Sequence, residues 1–281
     1  MDGAGDHIGG EAEATARRNP WQSPDLRLRL ASAMVLIAGS LAAAWIGGLP
    51  WAVLSMLVAG AMAFEWTRMA DTTRDYAGIA VAVATLCGLG FVIGPEIVQV
   101  ACVVTFAITL ALCAHRGGPV GIMGAGYLAV TGYALAALRV EPEVGRALIF
   151  ALFAIVWATD TGAYAFGRWI GGPKLLPAAS PNKTWAGFFG GIGAACLSVG
   201  VFAAVAGLPV LAWLVTGVLA SMVSQGGDLL ESMAKRHFGV KDTAGFIPGH
   251  GGVLDRLDGH LATALLLIIL IEIPVVRELL F

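Results

Sequence analysis

Charge is what this sequence has least of: 13% of its 281 residues are Asp, Glu, Lys or Arg, about half the share found in an ordinary soluble domain. With 58% hydrophobic residues and a mean hydropathy of +0.80, the shortage argues against a soluble globular fold and places the chain among polytopic membrane proteins. A formal net charge of -2 argues against a basic surface for nucleic acid and against a generally acidic or basic partner. Cysteine is scarce too. Cys87, Cys102, Cys113 and Cys196 lie within or at the ends of apolar runs, without CxxC spacing or a nearby histidine pair, so buried free thiols are expected rather than disulfides or a zinc site. Heptads, internal repeats and low-complexity tracts are missing, which leaves no scaffold reading. No apolar stretch with a small-residue cleavage site follows a basic start, so a removed signal peptide is not expected.

What the chain does have is long apolar runs. A helix crossing the hydrocarbon core needs about 20 residues, and nine runs fit that length: 30–48, 50–66, 76–94, 96–114, 119–138, 147–167, 187–206, 208–226 and 257–276. "GGLP" at 47–50 and "AGLP" at 206–209 punctuate tight hairpins. The expected fold is all-α, a polytopic membrane protein of about nine spans in one transmembrane domain, 28–281, behind a polar, Gly/Ala-rich N-terminal tail, 1–27, read as mobile. With that tail in the cytoplasm, 14 of the 17 basic residues fall on the inside, and only Arg139, Arg146 and Arg277 fall outside. This is the bias expected of a correctly oriented protein of the cytoplasmic (inner) membrane. Both long polar loops, 168–186 and 227–256, then face the cytoplasm. Trp51, Trp66, Trp169 and Trp185 fall at span ends and read as interfacial anchors, as do Glu65 with Arg68 and His115 with Arg116. Glu272 is expected to snorkel or to pair with nearby Arg277. Small residues in "GFFGGIGAAC", 187–196, suit close helix packing or a homodimer seam.

Against this greasy background two polar clusters stand out. In "GDLLESMAKRHF", 227–238, Asp228, Ser232 and Lys235 are four and three residues apart and share one helical face. The following "KDTAGFIPGHGGVLD" carries Gly245, Pro248, Gly249, Gly251 and Gly252, which break helix and let backbone N–H groups turn toward an anion such as phosphate. Asp255 and Asp258 open the next helix, where its dipole favours carboxylates. Together with Asp228 and Asp242 they form an oxygen-rich set suited to a hard cation such as Mg²⁺. A solvated loop that merely enforces topology would need basic residues, not four aspartates among glycines.

The second cluster is 156–188. Asp160 falls inside the sixth span, where an ionised carboxylate costs roughly 2.5 to 3.5 kcal/mol near the bilayer centre. It needs either a hydrogen bond from a neighbouring helix or, with Tyr164 one turn on, a water-filled cavity opening on the side of the Asp228 loop. Arg168, Lys174, Ser180, Lys183 and Thr184 follow on glycine-containing loops, a set of cations and hydroxyls suited to polyphosphate.

The stretch "SMAKRHFGVKDTAGFIPGHGGVLDRLD", 232–258, resembles throughout the signature of the phosphatidate cytidylyltransferase family, through Ser232, Lys235, Arg236, Lys241, Asp242, His250, Gly251, Gly252, Asp255, Arg256 and Asp258. Asp160 to Gly167 and Ser180 to Phe188 resemble its upstream motifs, so the signature-bearing half is 150–276. One departure is Ala186, where the family carries glutamate, and position 186 is left out of the site.

The resemblance implies an enzyme that joins CTP and phosphatidic acid into CDP-diacylglycerol and pyrophosphate. It implies Asp228, Asp255 and Asp258 as ligands of Mg²⁺ or of two cations, with Asp160 in a supporting role. Lys235, Arg236, Lys241, Asp242, His250 and Arg256 become catalytic candidates. Asp160, Tyr164, Ser180, Lys183, Thr184, Ser232, Gly251 and Gly252 become substrate-binding ones. Two other readings are weighed beside it: a CTP-dependent kinase of a polyprenol-type lipid, and an ion-coupled transporter using Asp160. The transporter reading lacks the repeated halves and broken midplane helices common in such proteins.

Overall fold

The computed structural model describes residues 24–70, 118–141, 144–241, 243 and 251–281. The spans expected at 76–94 and 96–114, and the candidates Asp242 and His250, lie outside the described residues. Eight helices are described: α1 (Pro24–Ile46), α2 (Gly48–Ala70), α3 (Gly118–Val140), α4 (Gly145–Trp169), α5 (Trp185–Ala206), α6 (Val210–His237), α7 (Leu254–Glu272) and α8 (Pro274–Leu280). Two short strands, β1 (Lys174–Leu176) and β2 (Ser180–Thr184), lie between α4 and α5.

By length and hydropathy, α2 to α6 can each cross a membrane. The span expected at 257–276 is not one straight helix: α7 and α8 meet at 105°. Pro274 is the reason, since it lacks an N–H and biases Ile273 away from helical backbone; Ile273 is indeed extended, at φ -90° and ψ 111°. The turned α8 docks back on α6, with the Trp213 indole N–H donating to Leu280 O (3.0 Å).

The all-α bundle carries one short hairpin, between α4 and α5. There β1 and β2 pair antiparallel, Lys174 opposite Thr184 and Leu176 opposite Ser180. Gly171 and Gly172, at φ 67° and 92°, turn the chain out of α4 in a conformation open to glycine. Pro177 to Ala179 then form the hairpin turn. Thr184 ends the hairpin and starts α5, its hydroxyl accepting the Gly187 N–H (3.1 Å) as an N-cap.

α4 is the centre of the bundle. Its Leu148, Ile149, Leu152 and Ile155 are fully buried with Leu267 and Ile271 of α7, Trp213 of α6 and Val199 of α5. Leu197, Val201 and Val205 of α5 point outward instead, as lipid-facing residues do. Trp51 and Trp66 are core residues, 3% and 4% exposed, with indole N–H groups donating to Ala136 O and Gly121 O (both 3.1 Å). Span-end position therefore mis-assigned them as interfacial anchors, whereas Trp169 and Trp185 are exposed as expected. Among the described residues the one cysteine, Cys196, is a free thiol.

Between lipid-solvated helices, close van der Waals contact replaces much of the hydrophobic drive, and small residues permit it. α4 and α5 meet in this way: a Cβ at Gly162 would lie 2.6 Å from Gly190 O, and one at Gly187 would lie 2.7 Å from Ala163 O. Gly162→Val is therefore expected to force the helices apart and lower stability by about 1–3 kcal/mol, the usual scale of overpacking. A thermal melt in lipid nanodiscs checks it.

Candidate functional site

The polar clusters of the sequence meet at one end of the bundle. A cavity of about 780 Å³ is lined there by the last turns of α4 (Asp160, Tyr164, Arg168), the hairpin (Asn182, Lys183, Thr184), the last turns of α6 and the first turn of α7. Its size is in the usual range for ligand pockets. The glycine contacts just described bring it together, because they hold the end of α4 against the start of α5. α6 ends with Lys235, Arg236 and His237, and α7 begins with Asp255. Both placements suit the helix dipoles, and they set basic and acidic groups side by side.

On α6 the residues lining the cavity are Gln225, Asp228, Glu231 and Lys235. Asp228 and Lys235 of the expected face line the cavity, whereas Ser232 does not and Glu231 does. Around the helix, Glu231 and Ser232 flank Asp228 by about 60° and 40° on opposite sides at 3.6 residues per turn, and periodicity alone does not choose between them. The packing of α7 does, on the Glu231 side.

There, ligand oxygens of Asp228, Glu231 and Asp258 all lie within 4.8 Å of one another. Glu231 is buried; its Oε2 accepts from Lys235 Nζ (3.1 Å), while its Oε1 has no hydrogen-bond partner among the described residues. The buried hydroxyl of Tyr127, on α3 and close to Gly227, likewise lacks one. Lys183 and Lys235 offset part of the charge of three carboxylates this close, while Glu231 Oε1 and the Tyr127 hydroxyl stay without a hydrogen-bond partner among the described residues. Oxygen donors in this arrangement fit a hard divalent cation.

Asp255 is placed differently. Its Oδ1 accepts from Lys235 Nζ (2.8 Å), and its Oδ2 accepts from the Thr243 N–H (3.2 Å), the Thr243 hydroxyl (3.1 Å) and the Gly252 N–H (3.0 Å). Both oxygens are occupied in holding the loop to α6, so the tight carboxylate group contains Glu231 in place of Asp255. Lys235 bridges the two arrangements, and its side chain is 14% exposed.

Across the cavity, Lys183 of β2 pairs with Asp228, and Arg168 donates to the Tyr164 hydroxyl (3.3 Å). Arg256 lines the cavity and is exposed. Thus Asp160, Tyr164, Lys183, Thr184, Asp228, Lys235, Asp255, Arg256 and Asp258 all line this cavity. Ser180 serves hairpin pairing, while Arg236 and Lys241 are exposed away from the cavity lining. Gly251, at φ 84°, turns the chain toward α7, and Gly252 is buried behind Asp255. Sequence reasoning missed Glu231, Gln225 and Tyr127. Only Glu231 carried a usable signal, lying three residues after Asp228 and four before Lys235.

Chemically, this cavity can neutralise a polyanion with Lys183, Arg168 and Arg256 while three carboxylates hold a cation beside it. Phe188 and Leu175 add apolar surface to its lining.

Comparison with known proteins adds a second line. The profile of the cytidylyltransferase family matches residues 27–274. A phosphatidate cytidylyltransferase of Brucella suis is 39% identical over 262 residues, covering 86% of this chain and 92% of its own. Proteins of the same name match more closely but over a shorter stretch. That of Staphylococcus epidermidis is 51% identical over 128 residues, 45% of this chain and 49% of its own. That of Bacillus subtilis is 44% identical over 126 residues, 44% of this chain and 47% of its own.

Proposed function

The chain belongs to the cytidylyltransferase family, and on that premise we propose that it is a phosphatidate cytidylyltransferase, transferring the cytidylyl group of CTP to phosphatidic acid to give CDP-diacylglycerol and pyrophosphate. The observation that carries this reading is the cavity itself: a carboxylate trio and basic side chains from four separate elements, set at one end of a bundle of apolar helices. Such a place lets a water-soluble nucleotide meet a phosphate whose acyl tails stay in lipid.

A phosphate oxygen of phosphatidate forms a bond to the α-phosphorus of CTP. The α–β phosphoanhydride bond breaks, and pyrophosphate leaves with its electron pair. Both partners are anions, so the protein's work is neutralisation and alignment, and no side-chain nucleophile is required. Lys183 and Arg168 reach the cavity from the hairpin side and Arg256 from the α7 side, which places cations on both flanks of the phosphates. Lys235 keeps Glu231 and Asp255 in place. Asp228, Glu231 and Asp258 would hold Mg²⁺, which when bound supplies charge neutralisation on the nucleotide phosphates.

The orientation follows from the same reading. CTP is cytosolic, and the 14-to-3 division of basic residues supports a cytoplasmic N-terminus and nine spans, with the cavity on the cytoplasmic side of an inner membrane.

Purified protein in phosphatidate-containing vesicles tests the reaction. Label in the α-phosphorus of CTP is expected in the lipid product, and label in the γ-phosphorus in pyrophosphate. Chelation of divalent cations is expected to stop turnover, and added Mg²⁺ to restore it. Transfer of the γ label to lipid would instead identify a CTP-dependent lipid kinase.

A further inference from the structure

Glu65 belongs to the half of the chain that carries none of the signature. Its position near a span end suggested an interfacial residue beside Arg68, yet its side chain is 0% exposed. Its Oε1 accepts the Val253 N–H (2.7 Å), and its Oε2 accepts the Leu254 N–H (2.8 Å) and the Thr243 hydroxyl (3.0 Å). These contacts bridge as many as 189 positions of sequence.

The groups it satisfies are the ones a helix leaves open. α7 starts at Leu254, and Val253 before it offers no side-chain cap. The first N–H groups of a helix have no partner within it, and buried ones are costly to leave unpaired. Glu65 fills the role of an N-cap side chain from another helix. The fit is close, because a Cβ at Gly252 would lie 2.7 Å from Glu65 Oε2.

The contacts continue inward. The Thr243 hydroxyl has one proton and two acceptors in reach, Glu65 Oε2 at 3.0 Å and Asp255 Oδ2 at 3.1 Å. Asp255 holds Lys235, and Lys235 holds Glu231. The run from Glu65 to the carboxylate trio is therefore unbroken, although Glu65 does not line the cavity. We propose that Glu65 is a positioning residue: by capping α7 from α2 and fastening Thr243, it sets the placement of Asp258 on one side and of Lys235 and Glu231 on the other. The function of α2 is then to align the site as well as to cross the membrane. This inference rests on reading the trio as a cation site.

The test uses the full chain in nanodiscs and Mn²⁺ as a paramagnetic probe. Glu65→Gln is expected to weaken Mn²⁺ binding at least about 10-fold, the lower end of the effect of residues that orient ligands. It is also expected to speed hydrogen exchange at the Val253 and Leu254 amides. Glu65→Asp, which keeps the charge, should recover part of the binding, and Thr243→Val should show a smaller loss in the same direction. A Glu65→Gln protein that melts earlier but binds Mn²⁺ like wild type overturns the proposal, since its role would then be structural only. If Glu65→Gln does not fold, Thr243→Val decides, and unchanged Mn²⁺ affinity there overturns it equally. Failure of the cation reading looks different: Asp258→Asn would then bind Mn²⁺ as wild type does. In that event kcat for CDP-diacylglycerol formation decides the proposal: a lowered kcat in Glu65→Gln that Glu65→Asp partly restores supports it, and an unchanged kcat overturns it.

Discussion

Asp258→Asn is expected to lower CDP-diacylglycerol formation by about 10³-fold, the upper scale for removing one preorganised electrostatic contact. The variant should remain folded. Asp258 stands in the first turns of α7 among Glu231 and Asp228, and Asn preserves its volume while removing a charge from a group already crowded with like charge. Taken alone, that removal relieves repulsion, so melting temperature should hold or rise slightly while cation binding collapses. Loss of activity together with retained stability is the signature of a residue kept for chemistry at some cost to the fold. Steady-state turnover against Mg²⁺ concentration, with a thermal melt on the same preparation, checks both halves. An Asp258→Asn enzyme with wild-type turnover would remove the trio from the mechanism.

Lys235→Met should show the opposite balance. Lys235 is nearly enclosed and holds two carboxylates, Glu231 at 3.1 Å and Asp255 at 2.8 Å. Methionine fits the space but leaves both anions without their counter-charge. Breaking a buried pair from one side costs about 3–5 kcal/mol, so a large drop in thermal stability is expected along with lost turnover. Lys183→Met is the control. Its pair with Asp228 has side chains 25% and 35% exposed, more open than those around Lys235 although the Lys183 Nζ is itself buried. That variant should lose less stability than Lys235→Met yet need far more CTP. Equal destabilisation by the two substitutions would show that burial does not separate their roles.

Much of the bundle was legible because lipid imposes a simple requirement on sequence. The runs 119–138, 147–167 and 187–206 each fall within a described helix, and 208–226 does so from residue 210 on, since a span must satisfy its backbone internally over a fixed thickness. The hairpin was not legible: β1 and β2 are three and five residues long and show no alternation of apolar and polar side chains. The break at Pro274 was visible as a residue but was overridden by the hydrophobicity of its neighbours.

For the site, spacing located the turns of α6 and α7 that line the cavity but not which side chains approach one another. Ser232 and Glu231 are adjacent in sequence, and only the approach of Asp258 chooses between them. Asp255 reads as a cation ligand until Thr243, Gly252 and Lys235 are seen to occupy its oxygens. Glu65, Trp51 and Trp66 share one cause of error. Each sits near a span end, where an interface is the default, and each makes contacts with elements far along the chain.

The Lys183–Asp228 pair spans the cavity from a short hairpin to a long helix. One ammonium group cannot fully serve both a carboxylate and a phosphate, and one carboxylate cannot fully serve both an ammonium and a metal ion. A cation held at Asp228 would free Lys183 for a nucleotide, and a nucleotide held at Lys183 would free Asp228 for a cation. The two guests exchange partners with their hosts, so each is expected to ease the entry of the other.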